Sequence, residues 1–139
     1  EKGFAIGTDF ITGHPGESEE LWLEAMKNAK DLPITHLHAF TYSKRDGTPS
    51  ATMKAEVNGK VAKQRLHELE ALINNKNFEF RKAFKGSLEV LIESQKDGLY
   101  YGHDQHFNKI LVESDDDLVG DWISVSNYEV RGDSNYAKL

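Results

Sequence analysis

The densest set of chemically able residues lies near the start of the chain, in Asp9-Phe10-Ile11-Thr12-Gly13-His14-Pro15-Gly16-Glu17. Small residues and a proline follow an apolar run there and precede a helix start. The segment therefore reads as the C-terminal end of a strand, where α/β folds place their ligands. Glycine lets a ligand approach the backbone closely, although an ordinary strand-to-helix turn uses the same residues. His36 and His38 are two apart, which puts them on one face of a strand as conceivable metal ligands. No third ligand stands at a matching spacing, and neutral packing or hydrogen-bonding roles suit them better, as they do His103 and His106. Asn58-Gly59-Lys60-Val61 lacks the upstream glycine and the following Ser/Thr of a phosphate-binding loop. No nucleophile–His–acid set stands out, and Arg131-Gly132-Asp133 is a tripeptide that arises by chance. The firmest exclusion is compositional. The chain has no cysteine, so it cannot by itself hold a thiolate metal site, a disulfide or an iron–sulfur cluster.

The elements that would position these residues follow from periodicity. Residues 4–12 are short, β-branched and aromatic, which predicts a strand ending at the turn cluster Gly13-His14-Pro15-Gly16. Ser18 is a good helix N-cap, with Glu19 and Glu20 favoured in the first turn by the helix dipole. Leu21, Ala25, Met26 and Ala29 form the stripe of that helix, Lys27 and Lys30 suit its end, and Pro33 closes it. Ile34 to Tyr42 predicts a second strand, with His36, His38 and Phe40 opposite Leu37, Ala39 and Thr41. Strand, helix and strand make a βαβ unit and a parallel pair. Two strands are few for a parallel sheet, which normally has both faces covered. The expectation is a piece of a larger protein, with an unpaired edge and an apolar face at residues 4–12 that invite self-association. A long helix is predicted from Gly59 to Phe84 on the stripe Ala62, Leu66, Leu69, Ile73, Phe80 and Phe84, its Lys and Arg forming a solvated face. After Gly86 the period changes. Short strands at 88–93, 99–101, 109–113, 122–126 and 135–139 predict a small antiparallel barrel. The domains expected are thus residues 1–86 and 87–139.

Charge is uneven along the chain. The net value is −6; residues 1–86 carry +1 and residues 87–139 carry −7. Non-specific binding of nucleic acid by the whole surface is disfavoured. The chain starts without a signal-peptide-like apolar core and no run approaches a bilayer span, so a cytoplasmic location is expected.

Taken together, Thr8-Asp9-Phe10-Ile11-Thr12-Gly13-His14-Pro15-Gly16-Glu17, then Phe40-Thr41-Tyr42-Ser43-Lys44-Arg45-Asp46-Gly47-Thr48-Pro49, then the β-rich close resemble the C-terminal part of a radical-SAM methylthiotransferase. That family carries a similar strand-end segment late in its barrel, a Tyr-Ser-x-Arg-x-Gly-Thr segment after the next strand, an Arg-containing long helix (here Gln64-Arg65-Leu66) and a terminal TRAM domain. The segments at His36–Ser43 and Phe80–Glu93 most resemble the members that methylthiolate threonylcarbamoyl-adenosine beside the tRNA anticodon. Relatives acting on isopentenyl-adenosine or on a ribosomal-protein Asp share the architecture.

The resemblance implies a mixed α/β and α+β fold: part of a parallel βα barrel with a long helix, then a TRAM-like, OB-like β-barrel. It implies that the intact enzyme uses two [4Fe-4S] clusters and S-adenosylmethionine, the cluster cysteines lying upstream of Glu1. It places Asp9, Ile11 and Gly13 near the adenosyl group of S-adenosylmethionine, and Ser43 and Arg45 near that cofactor or the substrate nucleotide. tRNA is the implied partner, and Lys96, Tyr100, Tyr101, His103, His106, Phe107 and Lys109 are the candidate RNA-binding face, by aromatic stacking and polar contacts. This piece alone is expected to be inactive. The other expectation is a self-sufficient RNA- or protein-binding module without chemistry.

Overall fold

The structure, a computed structural model, describes residues 3–139. They divide into two compact units: a βα unit of residues 6–77, and a sheet unit of residues 78–139 joined by residues 3–5.

In the βα unit, β1 (Gly7–Thr12), α1 (Glu19–Asp31), β2 (His36–Thr41) and a 3-10 turn (Pro49–Thr52) precede α2 (Gly59–Ala83), which runs on into the sheet unit. β1 and β2 pair in parallel, from Gly7 against His36 to Thr12 against Thr41. The strand is shorter than the sequence suggested, beginning at Gly7 rather than Phe4. Ser18 caps α1 as expected, its Oγ accepting the Leu21 N–H at 3.2 Å. The other end of α1 is closed by a residue of α2: Lys76 Nζ donates to the carbonyls of Ala29 (2.6 Å), Lys30 (3.0 Å) and Leu32. The first two are carbonyls of the last helical turn, which a helix end leaves without partners, and Leu32 is the C-cap residue.

The core of this unit is Trp22, Ala29, Leu69 and Ile73, with Phe10, Ala25, Met26 and Leu37 packed against it. The stripe of α1 is therefore anchored by Trp22, not by Leu21, which is 54% exposed. Position 22 lies three, four and seven residues before Ala25, Met26 and Ala29, which is the spacing of one helix face. Strand alternation turns Phe10 and Leu37 into this core and leaves Asp9, Ile11, His38 and Phe40 on the other face.

The sheet unit holds β3 (Leu88–Lys96), β4 (Leu99–His103), β5 (Lys109–Glu113), β6 (Trp122–Val125), β7 (Glu129–Val130) and β8 (Asn135–Lys138). Their order is β6-β3-β4-β5-β8-β7. The expectation of a purely antiparallel barrel needs correction: β5 and β8 pair in parallel, and the sheet is a curled half-barrel whose edges are β6 and β7. After β5 the chain passes to the far edge beside β3, then returns through the short β7, so β8 enters beside β5 in the same direction. A register shift between Ile92 and Ser94 helps the curl. So does Gly102, where a Cβ would stand 2.2 Å from the Leu91 carbonyl oxygen.

The concave side is apolar, built from Leu88, Val90, Ile92, Tyr100, Ile110, Val112, Val125 and Ala137. Two arginines of α2, Arg65 and Arg81, are buried, which corrects the reading of its cations as one solvated face. Arg81 holds the turn after β7, donating to the carbonyls of Arg131 (2.8 Å) and Gly132 (2.6 Å) and to Asn135 Oδ1 (3.2 Å). Burial lowers its pKa, against the pull of Asp133 and Asp104. Among the described residues no helix is long and apolar enough to cross a membrane.

Candidate functional site

Two surfaces gather the residues singled out in the sequence, one in each unit. In the βα unit the bare face of β1–β2 carries Asp9 opposite His38 and Ile11 opposite Phe40. Asp9 Oδ1 and His38 Nδ1 are 3.5 Å apart, both well exposed. Ile11 and Phe40 are 55% and 64% exposed, two large apolar side chains next to each other on an open sheet face. A carboxylate beside an apolar strip suits a ligand with hydroxyls at one end and a flat ring at the other.

Gly13, one step past β1, is buried at φ +79°, and a Cβ there would meet Ala62 Cβ at 2.4 Å. The glycine at this position is thus required by the approach of α2. Thr12 Oγ1 reinforces that approach by donating to the Ala62 carbonyl at 2.9 Å. His14 Nε2 lies 3.1 Å from Ser50 Oγ and its Nδ1 2.9 Å from the Pro15 carbonyl. Its ring meets Tyr42 edge-on at 5.3 Å. The Gly16 N–H reaches the Ala55 carbonyl at 3.0 Å. The loops after β1, after β2 and before α2 are therefore interlocked at one end of the sheet. Ser43 and Arg45 are exposed just beyond β2, where Thr48 donates its N–H (3.3 Å) and hydroxyl (2.7 Å) to the Arg45 carbonyl. Among the described residues no group of three His, Asp or Glu side chains could hold a metal ion.

The second surface is the convex face of the sheet unit. Trp122, Leu91, His103 and Lys109 face one another across β6, β3, β4 and β5. Phe107 stacks on His103, with ring centroids 4.5 Å apart and planes 11° apart. Phe107 is 63% exposed at φ +60°, an uncommon conformation for a bulky residue. Buried Asp104 fixes that turn: its Oδ1 accepts the N–H groups of His106 (2.8 Å) and Asn108 (2.9 Å). His103 Nδ1 is 2.7 Å from Glu93 Oε2.

The neighbouring row runs from Tyr101 through Leu111 to Tyr136, whose ring lies 3.7 Å from the Arg131 guanidinium carbon. Of the residues expected on this face, Tyr101, His103, Phe107 and Lys109 are brought together. Lys96 is exposed at the β3–β4 turn. His106 is drawn against Phe80 and Phe84, at 5.2 and 4.8 Å. Tyr100 does not belong to the face: it is 6% exposed in the apolar core, where its ring is unavailable for stacking. Sequence reasoning missed Trp122, 71% exposed. The alternation Trp122-Ile123-Ser124-Val125 held the signal, because turning Val125 inward turns Trp122 outward. It also missed Arg131 and Tyr136.

No protein-family model matches the chain. It is 45% identical over 98% of its length to a Helicobacter pylori (strain J99) protein provisionally named a methylthiotransferase, and covers 33% of that protein. It is 30% identical over 88% of its length to the threonylcarbamoyladenosine tRNA methylthiotransferase MtaB of Bacillus subtilis, covering 29% of it. Against the ribosomal protein uS12 methylthiotransferase RimO of Caldanaerobacter subterraneus it is 38% identical over 72% of its length, covering 23%. The chain thus spans about a third or less of the length of the curated relatives it matches.

Proposed function

From the premise that this chain is homologous over nearly its whole length to the methylthiotransferases, we propose that it is the C-terminal portion of such an enzyme, one that methylthiolates a hypermodified adenosine beside the tRNA anticodon. The named relatives act on tRNA in one case and on a ribosomal protein in another. The observation that favours RNA is Phe107, exposed in a left-handed backbone conformation, stacked on His103 and in reach of the row that carries Trp122 and Lys109. Exposed aromatic faces flanked by cations suit unstacked bases, whereas an acidic protein segment would gain little from the rings. Threonylcarbamoyl-adenosine is the preferred substrate, on the likeness of His36–Ser43 to the enzymes that act on it.

In this reading the intact enzyme uses iron–sulfur clusters and S-adenosylmethionine. The clusters are not held by this chain, which has no cysteine. S-adenosylmethionine, when bound, supplies the radical and methyl chemistry. Asp9 fits its ribose hydroxyls, and Ile11 with Phe40 fits its adenine. Gly13 contributes by letting α2 close on the strand end. Ser43 and Arg45 stand free for the cofactor or the substrate nucleotide.

The test uses the longest natural gene product that contains this chain, purified anaerobically, with methylthio-adenosine in tRNA measured by mass spectrometry. Phe107→Ala and Trp122→Ala each weaken tRNA binding by about ten-fold, the scale of one base–aromatic stack. Modification of a ribosomal protein but not of tRNA overturns the substrate; unchanged tRNA affinity in both variants overturns the face. The apolar core of the sheet unit supports a second reading, a binding module that works without chemistry. Binding of tRNA by a product lacking any upstream cysteine favours it.

A further inference from the structure

The turn after β1 is held by α2 more than by its own residues. The Arg65 side chain, 7% exposed, donates through Nη1 to both the carbonyl oxygen and Oε1 of Glu17, each at 2.9 Å. Its Nη2 donates to Glu19 Oε2 at 3.1 Å. The guanidinium carbon lies 5.7 Å from the centre of the Trp22 ring, and Trp22 Nε1 donates to Glu68 Oε2 at 3.0 Å. Glu17 Oε1 has a second donor, the backbone N–H of Gly13, at 2.9 Å. One carboxylate oxygen thus joins the middle of α2 to the first residue beyond the strand. From Gly13 the chain passes directly to His14, which is within 3.1 Å of Ser50 in the loop before α2.

We infer that Arg65 is a positioning residue for the ligand at the end of β1. Through Glu17 it sets where Gly13 and His14 stand, and with them the loops that interlock at that end. This rests on the reading of the strand end as the S-adenosylmethionine site. Arginine is needed because three acceptors must be met from one rigid plane; an ammonium group keeps the charge but not the fork. Lys76 provides the contrast. It fastens the far end of α1 within the same unit and touches nothing at the strand end.

The experiment compares Arg65→Lys, Glu17→Gln and Lys76→Met in the longest natural gene product that contains this chain. Arg65→Lys raises the KM for S-adenosylmethionine by about ten-fold, the effect of losing one charge-assisted bond, with a smaller change in kcat. Amide hydrogen exchange at Gly13 rises in the same variant. Glu17→Gln keeps an acceptor of the same shape, weakens the charge on the pair and moves both readouts in the same direction, which serves if Arg65→Lys does not fold. Lys76→Met lowers thermal stability and leaves KM and Gly13 exchange as they were. If Arg65→Lys loses stability no differently from Lys76→Met, with both readouts at wild-type values, the positioning role is overturned. If the wild-type protein does not use S-adenosylmethionine, the functional reading fails separately, and Gly13 exchange alone decides whether Arg65 sets the turn.

Discussion

The two units expose apolar side chains for different reasons. The sheet unit has finished its core: eight buried residues fill the concave side. The rings left outside are Trp122 and Phe107; Phe107 stacks on His103, the row neighbour of Lys109, and is held by a turn at positive φ. The βα unit covers only one face of two strands, and Ile11 and Phe40 lie bare on the other. In the first case exposure marks a surface made to be met; in the second it marks a sheet with one face left for a ligand or further structure. The arginines of α2 draw the same contrast. Both replace an apolar residue on the buried stripe of the helix and fasten a loop. Arg65 does so against carboxylates: burial works against its charge, yet the bonds it donates to Glu17 and Glu19, with their negative charge, outweigh this and raise its pKa. Arg81 donates to the Arg131 and Gly132 carbonyls and the Asn135 amide oxygen, and burial prevails over the pull of Asp133 and Asp104.

The largest effect expected from this contrast is at Arg81. Arg81→Met leaves the Arg131 and Gly132 carbonyls and Asn135 without their donor, at a cost of about 3 kcal/mol to the sheet unit. The two tryptophans allow a clean measurement. With Trp22→Phe in the background, Trp122 fluorescence in urea reports the sheet unit alone. A midpoint unchanged by Arg81→Met would mean that the turn after β7 holds itself, and the parallel drawn between the two arginines would fail.

Gly13→Ala probes the other unit at the place where α2 closes on the strand. The added methyl both collides with Ala62 and sits at a positive φ, for an expected cost of about 2 kcal/mol. Ala62→Gly removes the collision but not the backbone strain, so the double variant recovers part of the loss. Recovery of all of it would show that only the collision matters. Additive losses would show that α2 does not approach the strand as described.

Much of this was legible in the sequence because it depends on local patterns. The Ser18 cap, the parallel β1–β2 pair, the start of α2 and the bounds of β5 follow from capping chemistry and periodicity. What escaped depends on contacts between distant residues. Trp22 displaced Leu21 as the anchor of α1 because the choice between adjacent positions is made by the strands beneath, Phe10 and Leu37. Arg65 and Arg81 looked like solvated charges because their acceptors lie far off in the chain. The parallel β5–β8 pairing cannot be read from either strand alone. Tyr100 and Tyr101 are adjacent tyrosines, and only the strand register decides which is core and which is surface.

The smallest effect concerns pH, and it tests whether the convex face is tied together by charge at its β8 side. Glu113 accepts from Lys138 Nζ at 2.8 Å and from Tyr136 Oη at 2.5 Å. Hydrogen bonds from Lys138 and Tyr136 hold its carboxyl below the ordinary glutamate range. A depressed carboxyl pKa adds stability above the unfolded value, near pH 4, and loses it as pH falls through the folded value. The partners act on the opposite limb. Tyr136 and Lys138 are both raised, chiefly by Glu113, so their share is present below their unfolded values and lost as pH rises through the folded ones. Glu113→Gln should therefore flatten the stability profile by costing a little in the neutral range, where the exposed and screened cluster contributes, and nothing at either acid or alkaline extreme, where wild type has already lost that contribution. Thermal melting of wild type and variant from pH 3 to 11 checks this. If the variant differs by the same amount throughout, Glu113 acts there by shape alone, and the charges on that side of the face hold nothing in place.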